Sequence, residues 1–288
     1  MSRIEEALSR AAERRLEMAG AASGIEAGAV PVMAQVPRVS SFAKTFTHFE
    51  EEVPERLKHQ HMLVTLNDPA GHAAEEYRKL KESIVNISKK KGFRNTLMIT
   101  SSSVGEGKSV TSVNLAISLA QEMDFTVLLI DADLRRPTCH TLLNLDNEKG
   151  LSDFLLGATD VSSLICKTGV GKLSFMPAGK ATPNPGELLA SNRMVSLLEE
   201  VKHRYPDRFV LIDTPPALPF AETRSLSRMV DGAVLVIREG ASSQKDIAET
   251  VEALRETSIY GTVLNQASNR NWMKKHGYYY DRYYSAAR

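Results

Sequence analysis

TLMITSSSVGEGKSVTSVNLAISLA, residues 96–120, decides how this chain is read. A short apolar, β-branched run leads into a glycine-containing turn. Lys108 and Ser109 then open a segment with helical spacing. Glycine lets successive backbone N–H groups turn toward one anion, and the start of a helix adds partial positive charge. A lysine at this point reaches the β- and γ-phosphates of a nucleotide, and the hydroxyl after it holds Mg²⁺. Val104, Gly105, Glu106, Gly107, Lys108, Ser109 and Val110 are therefore the expected nucleotide-binding loop. The full phosphate-loop pattern asks for glycine at position 102, where this chain has Ser102, and Ser103 follows.

Outward from this stretch the texture repeats. Apolar runs recur at 126–131, 172–176, 208–213, 232–237 and 260–265, with amphipathic segments at 108–122, 186–203, 221–229 and 243–257 between them. Strands apolar on both faces and separated by helices predict a mostly parallel sheet covered on both sides. The fold expected is an α/β P-loop NTPase. Residues 1–18 predict a helical N-terminal extension capped by Ser2, with Ile4, Leu8, Ala11 and Ala12 at helical spacing. Residues 19–60, rich in Ala, Gly, Pro and Ser before an acidic stretch, read as a linker. Residues 61–266 read as the nucleotide-binding domain, and 267–288 as a mobile tail.

Composition narrows the function. Thirty-six Lys and Arg against 35 Asp and Glu give a net charge of +1, which offers no footprint for nucleic acid. The hydrophobic share of 42% supports a core. Cys139 and Cys166 have neither CxxC nor metal-ligand spacing, as in a reducing compartment. No apolar run approaches the ~20 residues that span a bilayer, and MSRIEEALSRAAERR does not read as a secretory signal. The expected location is cytoplasmic, with any membrane attachment through a partner.

Two further motifs carry carboxylates. VLLIDADLRRP places Asp131 and Asp133 two residues apart at a strand's end, and FVLIDTPPA places Asp213 at another. Side chains two apart in extended chain share a face, and ligands of open α/β sheets bind beyond the carboxyl ends of the strands. All three converge with the phosphate loop on one Mg·ATP. Lys108, Asp131 and Asp133 are the candidate catalytic residues. Ser109, Asp131 and Asp213 are the candidate Mg²⁺ organisers. Asn265, ending the last run, is a candidate nucleotide contact. Arg135 and Arg136 suit either a phosphate or a subunit boundary.

GEGKS, LLIDADLRRP and LIDTPP resemble the Walker A, A′ and B motifs of the bacterial tyrosine kinases, and NPGELLASNRM (184–194) is similar to that family as well. The opening SRIEEAL resembles the stand-alone autokinases of exopolysaccharide and exosortase (PEP-CTERM) loci. The partition, septum-site and arsenite-pump ATPases carry a signature lysine where this chain has Ser103. The family's ring-forming ExxRxxR is matched by Glu75, Arg78 and Lys81, with lysine in place of the last arginine. Lysine keeps the charge and loses the bidentate fork.

The resemblance also accounts for HGYYYDRYYSAAR, residues 276–288, which hold five of the chain's eight tyrosines. In that family a neighbouring subunit phosphorylates such a cluster. Tyr278, Tyr279, Tyr280, Tyr283 and Tyr284 are thus the expected phosphoacceptors. A phenol with pKa near 10 needs a carboxylate to take its proton; Asp131 is favoured for this, with Asp133 close behind. The resemblance implies a homo-oligomeric ring, a membrane polysaccharide co-polymerase or chain-length regulator as activator, and a cognate tyrosine phosphatase. The competing reading is a P-loop ATPase switch with no protein acceptor.

Overall fold

The computed structural model describes residues 53–268 apart from 91 and 206. Among these, seven strands form one sheet: β1 (Thr96–Ser101), β2 (Thr126–Asp131), β3 (Cys166–Lys167), β4 (Leu173–Met176), β5 (Arg208–Asp213), β6 (Gly232–Arg238) and β7 (Ile259–Asn265). Their order is β3-β4-β2-β5-β1-β6-β7. All pairings are parallel except β3 with β4, which is antiparallel. The six expected strands are all present. The additional β3 has two residues, too few to leave a pattern in sequence.

The helices are α1 (Val64–Asn67), α2 (His72–Lys90), α3 (Lys108–Ala120), α4 (Cys139–Leu143), α5 (Leu151–Leu155), α6 (Pro185–Leu189), α7 (Asn192–Arg204), α8 (Ala221–Ser227) and α9 (Gln244–Ala253). Alternation along the strands divides the core into two layers. Leu97, Ile99, Val127, Leu129, Phe209 and Leu211 pack with α3 on one face. Met98, Leu128, Ile130, Val210 and Ile212 pack with Leu197, Leu198 and Val201 of α7 on the other. Both faces are covered, which is why the strands read as unbroken apolar runs. Helix α3 is buried over nearly its whole length, since α1 and α2 cover the side turned away from the sheet.

The 186–203 segment, expected as one amphipathic stretch, is two helices. Pro185 sits in the first turn of α6, and the Ser191 hydroxyl accepts from the Met194 N–H at 3.3 Å to start α7. A capping serine inside an apolar periodicity is masked by that periodicity. Helix α9 opens on a capping box in which Ser243 and Asp246 bond reciprocally.

Packing also begins before residue 61. Leu57 is fully buried in the first core layer, and the Arg56 guanidinium donates to the carbonyls of Leu143, at 3.3 Å, and Thr168. One leucine and one arginine carry no periodicity, so composition alone joined them to the linker. The expected helix at 1–18, the linker up to residue 52 and the tail from residue 269 lie outside the described residues.

Candidate active site

The phosphate loop joins β1 to α3 at the carboxyl edge of the sheet. Gly105 and Gly107 have φ of 84° and 90°, a region that favours glycine. Gly107 caps α3 with no side chain, so the first N–H groups of that helix have no side-chain cap and suit an anion. A Cβ on Gly107 would stand 2.0 Å from the Asn265 amide nitrogen. That nitrogen donates to the Glu106 carbonyl at 2.8 Å, so Asn265 braces the loop. The buried Glu106 carboxylate accepts from the Ser103 N–H at 2.7 Å and from the Ser242 hydroxyl. Ser102, at the position where the pattern asks for glycine, accepts from the Thr250 hydroxyl of α9 at 2.9 Å. The loop is thereby fixed from three sides.

The three aspartates meet beneath it. Asp131 and Asp213 are paired neighbours on β2 and β5. The Asp213 carboxylate accepts from Ser109 at 2.6 Å and from Ser112, one helical turn on, at 2.8 Å; the Cys139 thiol lies 3.4 Å away. Asp131 accepts backbone N–H groups from Asp133 at 3.2 Å, Thr138 at 3.2 Å and Cys139 at 3.1 Å. The last two belong to the start of α4. Asp133 forms an ion pair with Lys108 at 2.9 Å and accepts the Arg136 N–H at 3.0 Å.

Burial sets the electrostatics. It pushes the Asp131 carboxyl well above the usual carboxylate range, and the neighbouring Asp213 charge adds to this. Asp213 is also raised by burial, against the opposing pull of Lys108 and the Ser109 and Ser112 hydroxyls. Burial works against the Lys108 ammonium, but Asp213 and Asp133 outweigh it and hold that group above its ordinary value. The Cys139 thiol is pushed far up by burial and both carboxylates, which keeps it protonated.

Above this floor opens a cleft of about 560 Å³, lined by the loop, Asp133, Arg135, Arg136, Thr138, Pro216 and Phe220. Asp131 and Asp213 are fully buried behind it. The donor set fits Mg²⁺: hydroxyl and carboxylate oxygens of Ser109, Asp213 and Asp131 suit a hard cation. Two crowded, proton-loving carboxylates also gain most from a divalent charge. The open N–H groups before α3 and the Lys108 ammonium fit the phosphates of a nucleotide.

Of the residues expected to form a ring, Glu75 and Arg78 pair with each other at 2.7 Å on α2, while Lys81 pairs with Glu122 just beyond α3. The five tail tyrosines lie outside the described residues. Sequence reading missed Ser112, although its i, i+3 spacing from Ser109 puts both hydroxyls on one helix face. It also missed the bracing role of Glu106, Ser242 and Thr250, whose partners lie more than a hundred residues away and leave no local sign.

A parallel sheet with a glycine loop, a lysine and a serine at its carboxyl edge, above paired aspartates, defines a P-loop NTPase-type protein. A family model described as an AAA domain matches residues 95–261. Tyrosine-protein kinase YwqD of Bacillus subtilis is 35% identical over 222 residues, covering 76% of this chain and 92% of that one. The kinase domain of Escherichia coli tyrosine kinase ETK superposes with a TM-score of 0.68 at 34% identity, over 72% of this chain and 81% of that domain. Against full-length Etk of Escherichia coli the match covers only 28% of its length. The septum site-determining protein MinD of Pyrococcus horikoshii, at 24% identity and a TM-score of 0.51, shares the fold alone. The chain belongs to the family of bacterial tyrosine-protein kinases.

Proposed function

We propose that this chain is an ATP- and Mg²⁺-dependent protein-tyrosine autokinase serving exopolysaccharide or capsule synthesis and export. One observation carries the reading most: Lys108, which pairs with Asp133, and Ser109, which bonds the buried Asp213, line one cleft with the phosphate loop. Phosphate anchor, metal side and cleft carboxylate thus stand together.

Backbone N–H groups from Gly105 to Lys108 cradle the phosphates. Lys108 leaves Asp133 to meet the charge developing on the transferred group. Ser109, Asp213 and Asp131 would hold Mg²⁺, which would supply charge neutralisation for the transfer. A tail tyrosine of a neighbouring subunit attacks the γ-phosphorus through its phenolic oxygen. The bond from that phosphorus to the β–γ bridging oxygen breaks, and ADP departs. The phenol proton passes to a carboxylate. Asp131 is the favoured acceptor on sequence grounds, but it is fully buried with three backbone N–H bonds, whereas Asp133 lines the cleft. The proposal therefore moves the base to Asp133 and keeps Asp131 with the metal. Departure of Lys108 toward the phosphates frees the Asp133 oxygen at the moment a base is needed.

The acceptors are Tyr278, Tyr279, Tyr280, Tyr283 and Tyr284. Glu75, Arg78 and Lys81 assemble the ring by exchanging their contacts within the chain for contacts with a neighbour. A cytosolic segment of a membrane chain-length regulator activates the kinase, and a cognate phosphatase resets it. The site of action is cytoplasmic, at the inner membrane through that partner. Among the described residues no helix is long and apolar enough to cross a membrane.

The test is stoichiometric. Full-length protein with Mg·ATP and the activating segment should release about one ADP per phosphotyrosine formed. ADP released without phosphotyrosine would support the ATPase switch instead.

A further inference from the structure

The outer lip of the cleft has a chemistry that phosphate binding does not use. Val104 projects from the phosphate loop at 62% exposure, a large apolar side chain in water beside a polar site. Phe220 lines the same cleft. The Arg135 guanidinium lies 4.7 Å from the centre of that ring, and its Nε donates to the buried Glu222 carboxylate at 2.5 Å. Arg135 is thus fixed in place, and its charge is matched by Glu222. Arg136 next to it is exposed and pairs with no carboxylate among the described residues.

Each part has its own reason. A valine and a phenylalanine lining one cleft suit a planar apolar ring. A guanidinium stacked on Phe220 and held by a buried carboxylate is pre-organised, so that wall loses little freedom when a ligand arrives. An unmatched guanidinium beside it suits an anion. Together they fit an aromatic ring followed closely by a negative charge. The chain carries one such sequence near its end: Asp281 directly follows Tyr280 and is the only acidic residue after Gln266.

We propose that the lip formed by Val104, Phe220 and Arg136 is the acceptor subsite, reading a tyrosine ring with Val104 and Phe220 and an adjacent acidic group with Arg136. This rests on the kinase reading and extends it to which tyrosine is taken. Tyr280, with Asp281 beside it, is phosphorylated first; its phosphate then supplies the anion for neighbouring tyrosines.

The test uses the full-length chain with the five tail tyrosines changed to phenylalanine, and a separate labelled peptide of residues 276–288 as acceptor. Arg136→Ala should raise the KM for the peptide about tenfold, the size of one charge-assisted contact, while the KM for ATP moves less than about twofold. Phe220→Ala should act in the same direction, and Phe220→Tyr should restore most of the loss. A peptide carrying Asp281→Asn should show the same rise on the parent enzyme and no further rise on Arg136→Ala. Arg136→Lys should recover part of the loss. Unchanged peptide KM in Arg136→Ala, or a rise in the KM for ATP instead, would overturn the assignment and give the lip to the nucleotide. Peptide binding read by fluorescence anisotropy separates the two layers. Binding that weakens with Arg136→Ala in the absence of any phosphotransfer keeps the subsite and removes the kinase reading. Phosphotransfer with equal peptide binding by parent and variants does the reverse.

Discussion

The two edges of the same sheet are built on opposite principles. At the amino edge, Phe93, Phe125 and Phe209 form an aromatic cluster with centroids 5.1 to 5.9 Å apart. The Asp231 carboxylate there accepts the N–H groups of Asn95 and Thr96 and pairs with Lys202 at 2.6 Å. Apolar area is buried and the charge is matched. At the carboxyl edge, Asp131 and Asp213 are buried side by side and both resist ionisation. The difference shows where this fold stores its stability and where it gives some up. Like charges held together in a dry site cost free energy until a cation arrives, and that unmet demand suits the edge to bind one.

The comparison can be broken most sharply at Lys108. Lys108→Met should lower phosphotyrosine formation by on the order of 10³-fold, as expected for loss of a preorganised charge at the reacting group. At the opposite edge, Phe209→Ala should cost about 3–5 kcal/mol in urea unfolding. The fraction that stays folded should keep its KM for ATP; a large change there would show that the two edges are not separable. Gly107→Ala comes next. Its left-handed backbone costs a side chain about 1–2 kcal/mol, and the added methyl collides with Asn265. Nucleotide affinity should fall about tenfold by calorimetry.

Asp131→Asn sharpens the contrast further, because activity and stability should move apart. The native pKa of Asp131 is raised, so the folded protein takes up its proton before the unfolded chain does. Its contribution to metal-free stability is therefore fully present below the ordinary carboxylate range near 4. It is lost as pH rises through the raised native value. At neutral pH the asparagine variant should be at least as stable as the parent without Mg²⁺, and should gain less on acidification, while its phosphotransfer falls. Chemical denaturation across pH checks both. The smallest effect belongs to Lys81→Ala. Lys81 is largely shielded but its partner Glu122 is 41% exposed, so monomer stability should change by under about 1 kcal/mol. Oligomer size by light scattering should nevertheless fall; an unchanged size would remove Lys81 from ring assembly.

Much of this was legible because its signals are local. The loop from Gly105 to Ser109 carries its own chemistry, and the two Asp-bearing strand ends announce themselves by position. The sheet was readable because doubly covered strands are apolar throughout. What stayed hidden depends on distance in sequence. Asn265 suggested a nucleotide contact from its place at a strand end, and the fold uses its amide on the Glu106 carbonyl. A DAD tripeptide does not show which of its two carboxylates lines the cleft; here that is Asp133. The break at Ser191 was concealed by apolar periodicity running through it. The Arg135–Glu222 pair joins residues 87 apart, and neither alone suggests the other.

The most direct test is phosphopeptide mapping with intact-mass measurement of the full-length protein given Mg·ATP, beside Lys108→Met and a chain ending at Gly277. The account predicts phosphate on the tyrosines between 278 and 284 in the parent, and no added mass in either variant. An unmodified parent that still hydrolyses ATP with the activating segment present would contradict it. So would phosphate that persists after removal of the tail.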